Sequence, residues 1–305
     1  MSTVMARSDF ARAINEVYGI ITWVTIGIFV VVAAVLLYVI IRYRERDAER
    51  LPRQIRGHSL LEIGWTIAPA LVLLVIAIPT IQIIFRTQSA ARPAGALEVD
   101  VRGHQWWWEF RYPSLGITTA NELHLPVGQT VYLKMEGPDV IHSFWVPRLG
   151  GKRDVIPGRI NTLTFTPEAP GEYLGQCAEF CGISHANMRM RVIVHPRATW
   201  ATWVAGQQAV PATAAAVADG AALFARSACV GCHTIRGVSA GVIGPDLTHF
   251  GSRGTVAAGI LPSTLDNVAA WVKDPPALKP GVKMPALGLT DEQARAVAAY
   301  LLSLK

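Results

Sequence analysis

The sequence predicts a membrane-anchored, multidomain chain: a two-helix transmembrane hairpin, an all-β barrel or sandwich, then a small all-α domain. Three observations predict it. Tyr18 to Ile41 and Ile63 to Phe85 carry no charged residue. Between Leu97 and His195, short alternating strands are broken by turn residues. From Ala216 onward helical, alanine-rich patterns return. The 305 residues are 51% apolar and 16% charged, too apolar for an ordinary soluble protein. The formal charge of +6 sits largely in one loop and does not point to nucleic acid.

Each uncharged run is long enough to span a bilayer. At ~1.5 Å per residue, about 23 residues cover roughly 34 Å, against a hydrocarbon core of ~30 Å. The first run is too long for the core of a signal peptide. The hairpin is assigned residues 1–90. Its loop holds Arg42, Arg44, Arg46, Arg50, Arg53 and Arg56. Arginines in a short loop place it on the cytoplasmic side of the plasma (inner) membrane. Both termini, and everything after Phe85, are then extracytoplasmic.

The β domain is assigned residues 91–197. Leu97-Glu98-Val99-Asp100-Val101 and Arg189-Met190-Arg191-Val192-Ile193-Val194 alternate with the period of a half-buried strand. Residues 198–215, with Pro, Gln and an alanine run, are expected to be a linker. The helical domain takes residues 216–305, and Asp291 and Glu292 open its last helix where acids suit the helix dipole.

Four cysteines form two tight pairs. The first lies in Cys177-Ala-Glu-Phe-Cys181-Gly-Ile-Ser-His185-Ala-Asn-Met188. One thiolate, imidazole and a thioether are the donors of mononuclear blue-copper sites. The second thiolate allows two copper ions to be bridged and one unpaired electron to be shared between them. His142 is the best further ligand from outside the loop. A structural disulfide is the alternative reading, disfavoured by the interleaved Glu, His and Met. Zinc is a poor match for Met188, because thioether is a poor zinc ligand. Met190 falls inside the following strand pattern.

The second pair lies in Cys229-Val-Gly-Cys232-His233, the pattern of covalent c-type haem attachment. A thioredoxin-like use would need a βαβ setting, which the surrounding sequence lacks. For the iron's sixth ligand the choice is between Met284 and His249, and Met284 is favoured because a Met/His pair raises the potential of a carrier.

The copper loop resembles that of subunit II of the haem-copper cytochrome c oxidases, Cys-x-Glu-x-Cys-Gly-x-x-His-x-x-Met, at every fixed position. The resemblance runs from the first membrane helix to about His195. It implies a cupredoxin-like barrel holding binuclear CuA through His142, Cys177, Cys181, His185 and Met188. It also implies a copper bond from the backbone carbonyl of Glu179, whose carboxylate helps hold magnesium shared with subunit I. Gly103 to Trp108 is similar to the family's aromatic cluster, which makes Trp106 the residue through which electrons come in; Trp107 departs from a common Tyr. Glu62 resembles the acid that admits protons to subunit I. Residues 216–305 resemble a class I cytochrome c.

The resemblance implies the electron-input subunit of a respiratory oxygen reductase. Its expected partners are oxidase subunits I and III, membrane lipid, and a donor such as a cytochrome c or an upstream complex. Electrons would pass through haem c and CuA, with oxygen reduction and proton pumping in subunit I. The alternative is the copper-bearing subunit of a nitric oxide reductase. A quinol oxidase subunit would lack the copper ligands that stand here.

Overall fold

The computed structural model describes residues 2–45, 54, 56–88, 91–211 and 215–305. They fall into two compact units, Arg12–Gln88 and, together, Met1–Ala11 with Ser89–Lys305.

The first unit is the hairpin of α1 (Asp9–Arg42, whose first turn belongs to the other unit) and α2 (Ser59–Thr87). Both helices are long and apolar enough to cross a membrane. Leu36, Tyr38, Leu73 and Phe85 stand exposed along them. Lipid would cover such a surface at no hydrophobic cost, whereas water would not. At the start of α2, Leu61 N–H donates to His58 Nδ1 at 3.4 Å, and His58 N–H donates to Glu62 Oε1 at 3.3 Å. That reciprocal cap uses two otherwise unpaired donors. Arg46, Arg50 and Arg53 of the arginine loop lie outside the described residues.

The β domain contains β1 (Leu97–His104), β2 (Trp107–Tyr112), β3 (Ile117–Ala120), β4 (Glu122–Pro126), β5 (Val131–Glu136), β6 (His142–Trp145), β7 (Arg153–Val155), β8 (Asn161–Phe165), β9 (Gly171–Cys177) and β10 (Arg189–His195). Among the described residues they form two five-stranded sheets, ordered β3-β2-β1-β5-β8 and β4-β10-β9-β6-β7. Strand β1 runs parallel to β5 and β10 parallel to β4; the other pairs are antiparallel. Alternation buries Leu97, Val99 and Val101 on β1, facing a core that includes Phe110, Leu133, Phe144 and Val192.

Two boundaries differ from the sequence reading. The N-terminal residues pack with the β domain's unit: Ser8 Oγ donates to Leu149 O at 2.6 Å, Thr166 N–H donates to Asp9 Oδ1 at 2.7 Å, and Phe10 joins the β core. The expected linker is mostly helix α3 (Arg197–Gln208). Its Trp203 stacks on His124, with ring centroids 4.6 Å apart, and Gln208 Nε2 donates to Leu115 O at 2.8 Å. Tertiary stacking thus orders a segment of weak intrinsic pattern.

The last domain holds α4 (Ala218–Arg226), α5 (Cys229–Cys232), α6 (Leu265–Lys273), α7 (Pro275–Leu278) and α8 (Asp291–Ser303). A capping box between Thr290 and Gln293 opens α8. Helices α4 and α8 approach closely at Gly220, where a Cβ would stand 2.1 Å from Ala296 O. Phe224 and Tyr300 pack there, 5.8 Å between centroids.

This domain is docked on the barrel through buried polar groups. Glu122 Oε1 accepts from Gly254 N–H at 2.8 Å and Thr255 N–H at 3.2 Å. A cavity of about 330 Å³ adjoins them, lined in part by Glu122, His124, His195, His249 and Arg253. Burial, then the neighbouring His124, pushes the His195 imidazole down to about 4. Burial pushes the Glu122 carboxyl up, but His124, Arg253 and the Gly254 N–H outweigh it and hold the group below its ordinary 4.5.

Substituting Glu122→Ala leaves the Gly254 N–H and the buried Thr255 N–H without their acceptor, at a cost of about 1–3 kcal/mol. Hydrogen exchange at Gly254 and Thr255 should accelerate accordingly. Because the folded-state pKa is lowered, the wild-type contribution is complete above about 4.5 and is lost as pH falls through the lower folded value. The Glu122→Ala protein should lack that acid dependence.

Candidate redox centres

The copper loop is closed at its base by backbone bonds. Cys177 ends β9, its N–H donates to Met188 O at 2.9 Å, and Ala178 N–H donates to Ser143 O at 2.9 Å. Strand β6 pairs with β9 in the register Phe144↔Cys177, which brings His142 to the same end of the sheet. Within the loop, His185 N–H donates to Gly182 O at 3.0 Å.

Five side chains converge. Cys177 Sγ stands 3.7 Å from Cys181 Sγ and 3.9 Å from His142 Nδ1. Cys181 Sγ stands 3.5 Å from His185 Nδ1 and 3.9 Å from Met188 Sδ. The backbone carbonyl of Glu179 faces Cys177 Sγ at 3.3 Å, while the residue as a whole is exposed. His142, Cys177, Cys181 and Met188 are buried, and all four cysteines are free thiols.

The two thiols of this cluster do not shed both protons on their own. Cys177 is drawn down to about 3, chiefly by its hydrogen bond with Cys181, and the same partner pushes Cys181 up. One proton leaves the pair readily and the second is held, because two buried thiolates repel. Burial pushes His142 down, yet Asp139 and Cys177 outweigh it and hold the ring above its ordinary value. Two thiols, two imidazoles and a thioether are a soft donor set that fits copper.

Asp139, which sequence reasoning missed, orients His142. Asp139 Oδ1 accepts from His142 Nε2 at 2.8 Å, leaving Nδ1 aimed at the thiols. Its Oδ2 accepts from Gln105 N–H at 2.7 Å. Burial opposes its ionisation, but bonds from His142, Gln105 and Val140 hold the carboxyl at about 2. The only signal for it was its place three residues before His142. Gly103 gives the ring its room: a Cβ there would stand 2.8 Å from His142 Cδ2.

The three consecutive tryptophans take three places. Trp107 stacks on His104 at 4.2 Å. Trp108 is buried in the core, edge-on to Phe144 at 5.7 Å. Trp106 is also buried, and its Nε1–H donates to Cys181 O at 2.9 Å. Glu62 is exposed in the first turn of α2.

In the helical domain, the single turn α5 carries Cys229 and Cys232, and His233 N–H donates to Cys229 O at 3.0 Å. The His233 ring is buried, and its Nδ1 donates to Pro245 O at 2.7 Å, leaving Nε2 as the free donor atom for iron. Burial holds the ring below its ordinary value, hence neutral, as a metal ligand must be. Gly244 packs on that ring, since a Cβ would stand 2.6 Å from His233 Cε1. The two thiols, the oriented imidazole and the glycine fit a haem. Met284 is half-buried in the segment between α7 and α8, whereas His249 lines the cavity beside Glu122.

A thiol-rich metal loop on a β barrel, a c-type attachment turn and an apolar hairpin define a membrane-anchored electron-transfer subunit. Three family models match: "Cytochrome C oxidase subunit II, transmembrane domain" over residues 4–83, "Cytochrome C oxidase subunit II, periplasmic domain" over 115–195, and "Cytochrome c" over 217–305. Cytochrome c oxidase subunit 2 of Alkalihalophilus pseudofirmus is 37% identical over 299 residues, covering 95% of this chain and 86% of that protein. Its counterpart in Bacillus subtilis is 36% identical over 294 residues, covering 89% and 82%. The chain belongs to the cytochrome c oxidase subunit II family and carries a C-terminal cytochrome c domain. It is a membrane-anchored part of an oxidoreductase complex that includes subunit I, and its domains imply copper and haem c.

Asp139→Ala should free the His142 ring and lower copper affinity roughly 10–100-fold, the usual cost of losing a group that orients a ligand. Competition against a copper chelator measures it.

Proposed function

We propose that this chain takes electrons from an external donor through haem c and a binuclear CuA centre into subunit I, where oxygen is reduced with proton pumping. The observation that carries this reading is the convergence of two free thiols, two imidazoles and a thioether in one buried pocket. His142, Cys177, Cys181, His185 and Met188 would hold the two copper ions, and the Glu179 carbonyl would add a backbone oxygen. The exposed Glu179 carboxylate is free to share magnesium with subunit I. Cys229 and Cys232 would attach the haem, and His233 and Met284 would hold its iron, a choice that fits His249 lining the separate cavity beside Glu122.

When bound, the copper pair and the haem each supply a one-electron couple. The protein's own residues supply the rest. Asp139 and Pro245 O fix the two histidine tautomers. Trp106 joins the copper loop by a hydrogen bond to Cys181 O and serves as the point where electrons come in. Burial of Cys177, Cys181 and Met188 excludes water and limits reorganisation. Glu62, exposed at the loop end of α2, admits protons to subunit I.

The arginine loop is cytoplasmic, the termini and both metal-bearing domains are outside, and the membrane is the plasma (inner) membrane. Covalent haem attachment, an extracytoplasmic process, supports the same orientation. Subunit III, lipid and a cytochrome c or upstream complex as donor complete the partners.

The intact complex, assayed for oxygen against nitric oxide consumption, tests the function. Oxygen turnover should dominate; preferential nitric oxide turnover would reassign the chain to a nitric oxide reductase. Met284→Leu should abolish the low-spin Met/His absorption of the haem while copper content stays unchanged. Survival of that absorption would overturn Met284 as the sixth ligand.

A further inference from the structure

The residue proposed to receive electrons is covered by this chain itself. Trp106 is only 7% exposed. The segment from Lys279 to Lys283, just before Met284, lies over it. Lys279 Nζ donates to Trp106 O at 2.6 Å and to Ala257 O at 3.3 Å. Ser184 Oγ, on the copper loop, donates to Pro280 O at 2.5 Å. At Gly281, where φ is +77°, an added Cβ would stand 2.5 Å from Ile183 Cγ2 and 3.0 Å from Trp106 Cη2. Lys283 Nζ lies 3.9 Å from Asp139 Oδ2.

Lys279 is the unusual member of this set, because it is 2% exposed. Lysine is almost never fully buried, and an ammonium held by carbonyls forfeits its hydration. A methionine of similar length would fill the space without that loss. What the amine adds is direction: it ties the main chain at Trp106 to the loop of Ala257, and its own backbone starts the segment that leads to Met284.

We propose that Lys279 is a positioning residue that clamps the 279–284 segment of the cytochrome domain onto Trp106, closing Trp106 to outside donors. An external donor then meets only the haem-bearing domain, and Trp106 receives electrons from within the chain. This rests on the reading of Trp106 as the point of electron input. The alternative is that the contact is interface packing with no bearing on transfer.

The test uses the assembled holo-complex with Lys279→Met and Trp106→Phe. After photoreduction of the haem, its reoxidation by copper is timed. Lys279→Met should slow that step several-fold, because electron transfer weakens steeply as donor and acceptor move apart. The haem absorption, the copper resonance and the KM for a cytochrome donor should stay at wild-type values while kcat falls. Hydrogen exchange across Gly103–Trp108 should rise. An unchanged transfer rate in Lys279→Met, with Trp106→Phe slowed, would overturn the clamp and keep Trp106 as the input residue. An unchanged rate in Trp106→Phe would overturn the input reading itself. Should Lys279→Met not assemble, oxidative footprinting of the wild-type complex decides: Trp106 should be protected, and modification as fast as at half-buried Trp271 would overturn the proposal.

Discussion

Two thiols 3.7 Å apart in a buried loop cannot both ionise unless positive charge comes between them. Much of the structure serves that constraint. The backbone bond from Cys177 to Met188 O fixes the width of the loop, and the β6–β9 pairing sets His142 opposite it. Asp139 turns the His142 ring so that Nδ1 faces the sulfurs. A soft cation resolves the repulsion that the fold creates. The same reasoning explains the spacing: four residues from Cys177 to Cys181 allow both sulfurs to face one point while the intervening Glu179 presents its carbonyl.

The parts of this chain legible in its sequence are those where chemistry is written locally. The two uncharged runs needed only length and composition, and they became α1 and α2. The proposed copper donors other than His142 sit within one loop, and the proposed haem thiols within one turn. His142 was legible because a cluster of that kind lacks a ligand from elsewhere. What escaped was decided by tertiary contact. Residues 198–215 read as a linker from their Pro, Gln and alanine run, yet Trp200 and Trp203 stack against the rim of the barrel and order a helix up to Gln208. Ser8, Asp9 and Phe10 read as a polar lead to the membrane helix but lodge in the β domain. Asp139, Glu122 and Lys279 carry no local pattern that marks them, and packing alone gives Asp139 its bond to His142 and buries Glu122 and Lys279.

Those two buried charges bear on how the domains cooperate. A domain joined by a flexible tether would meet the barrel through a small polar surface and leave it often. Here α3 is braced on the barrel, Glu122 holds the loop of Gly254 and Thr255, and Lys279 holds the loop before Met284. The last two contacts each remove an ionisable group from water, so undocking would have to rehydrate it and also leave backbone donors or acceptors to find new partners.

Docking of this kind changes what a fused carrier can do. A tethered carrier gains from high local concentration but must still find its orientation on every turnover. A docked one has its orientation set in advance, at the cost of a surface that a separate donor would otherwise use. The segment over Trp106 is where that exchange is visible. Glycine at 281 lets the main chain approach within contact of the indole, Ser184 ties the copper loop to Pro280, and Trp106 Nε1–H reaches Cys181 O. A continuous set of contacts thus runs from the haem-bearing domain to a copper-loop cysteine without passing through solvent.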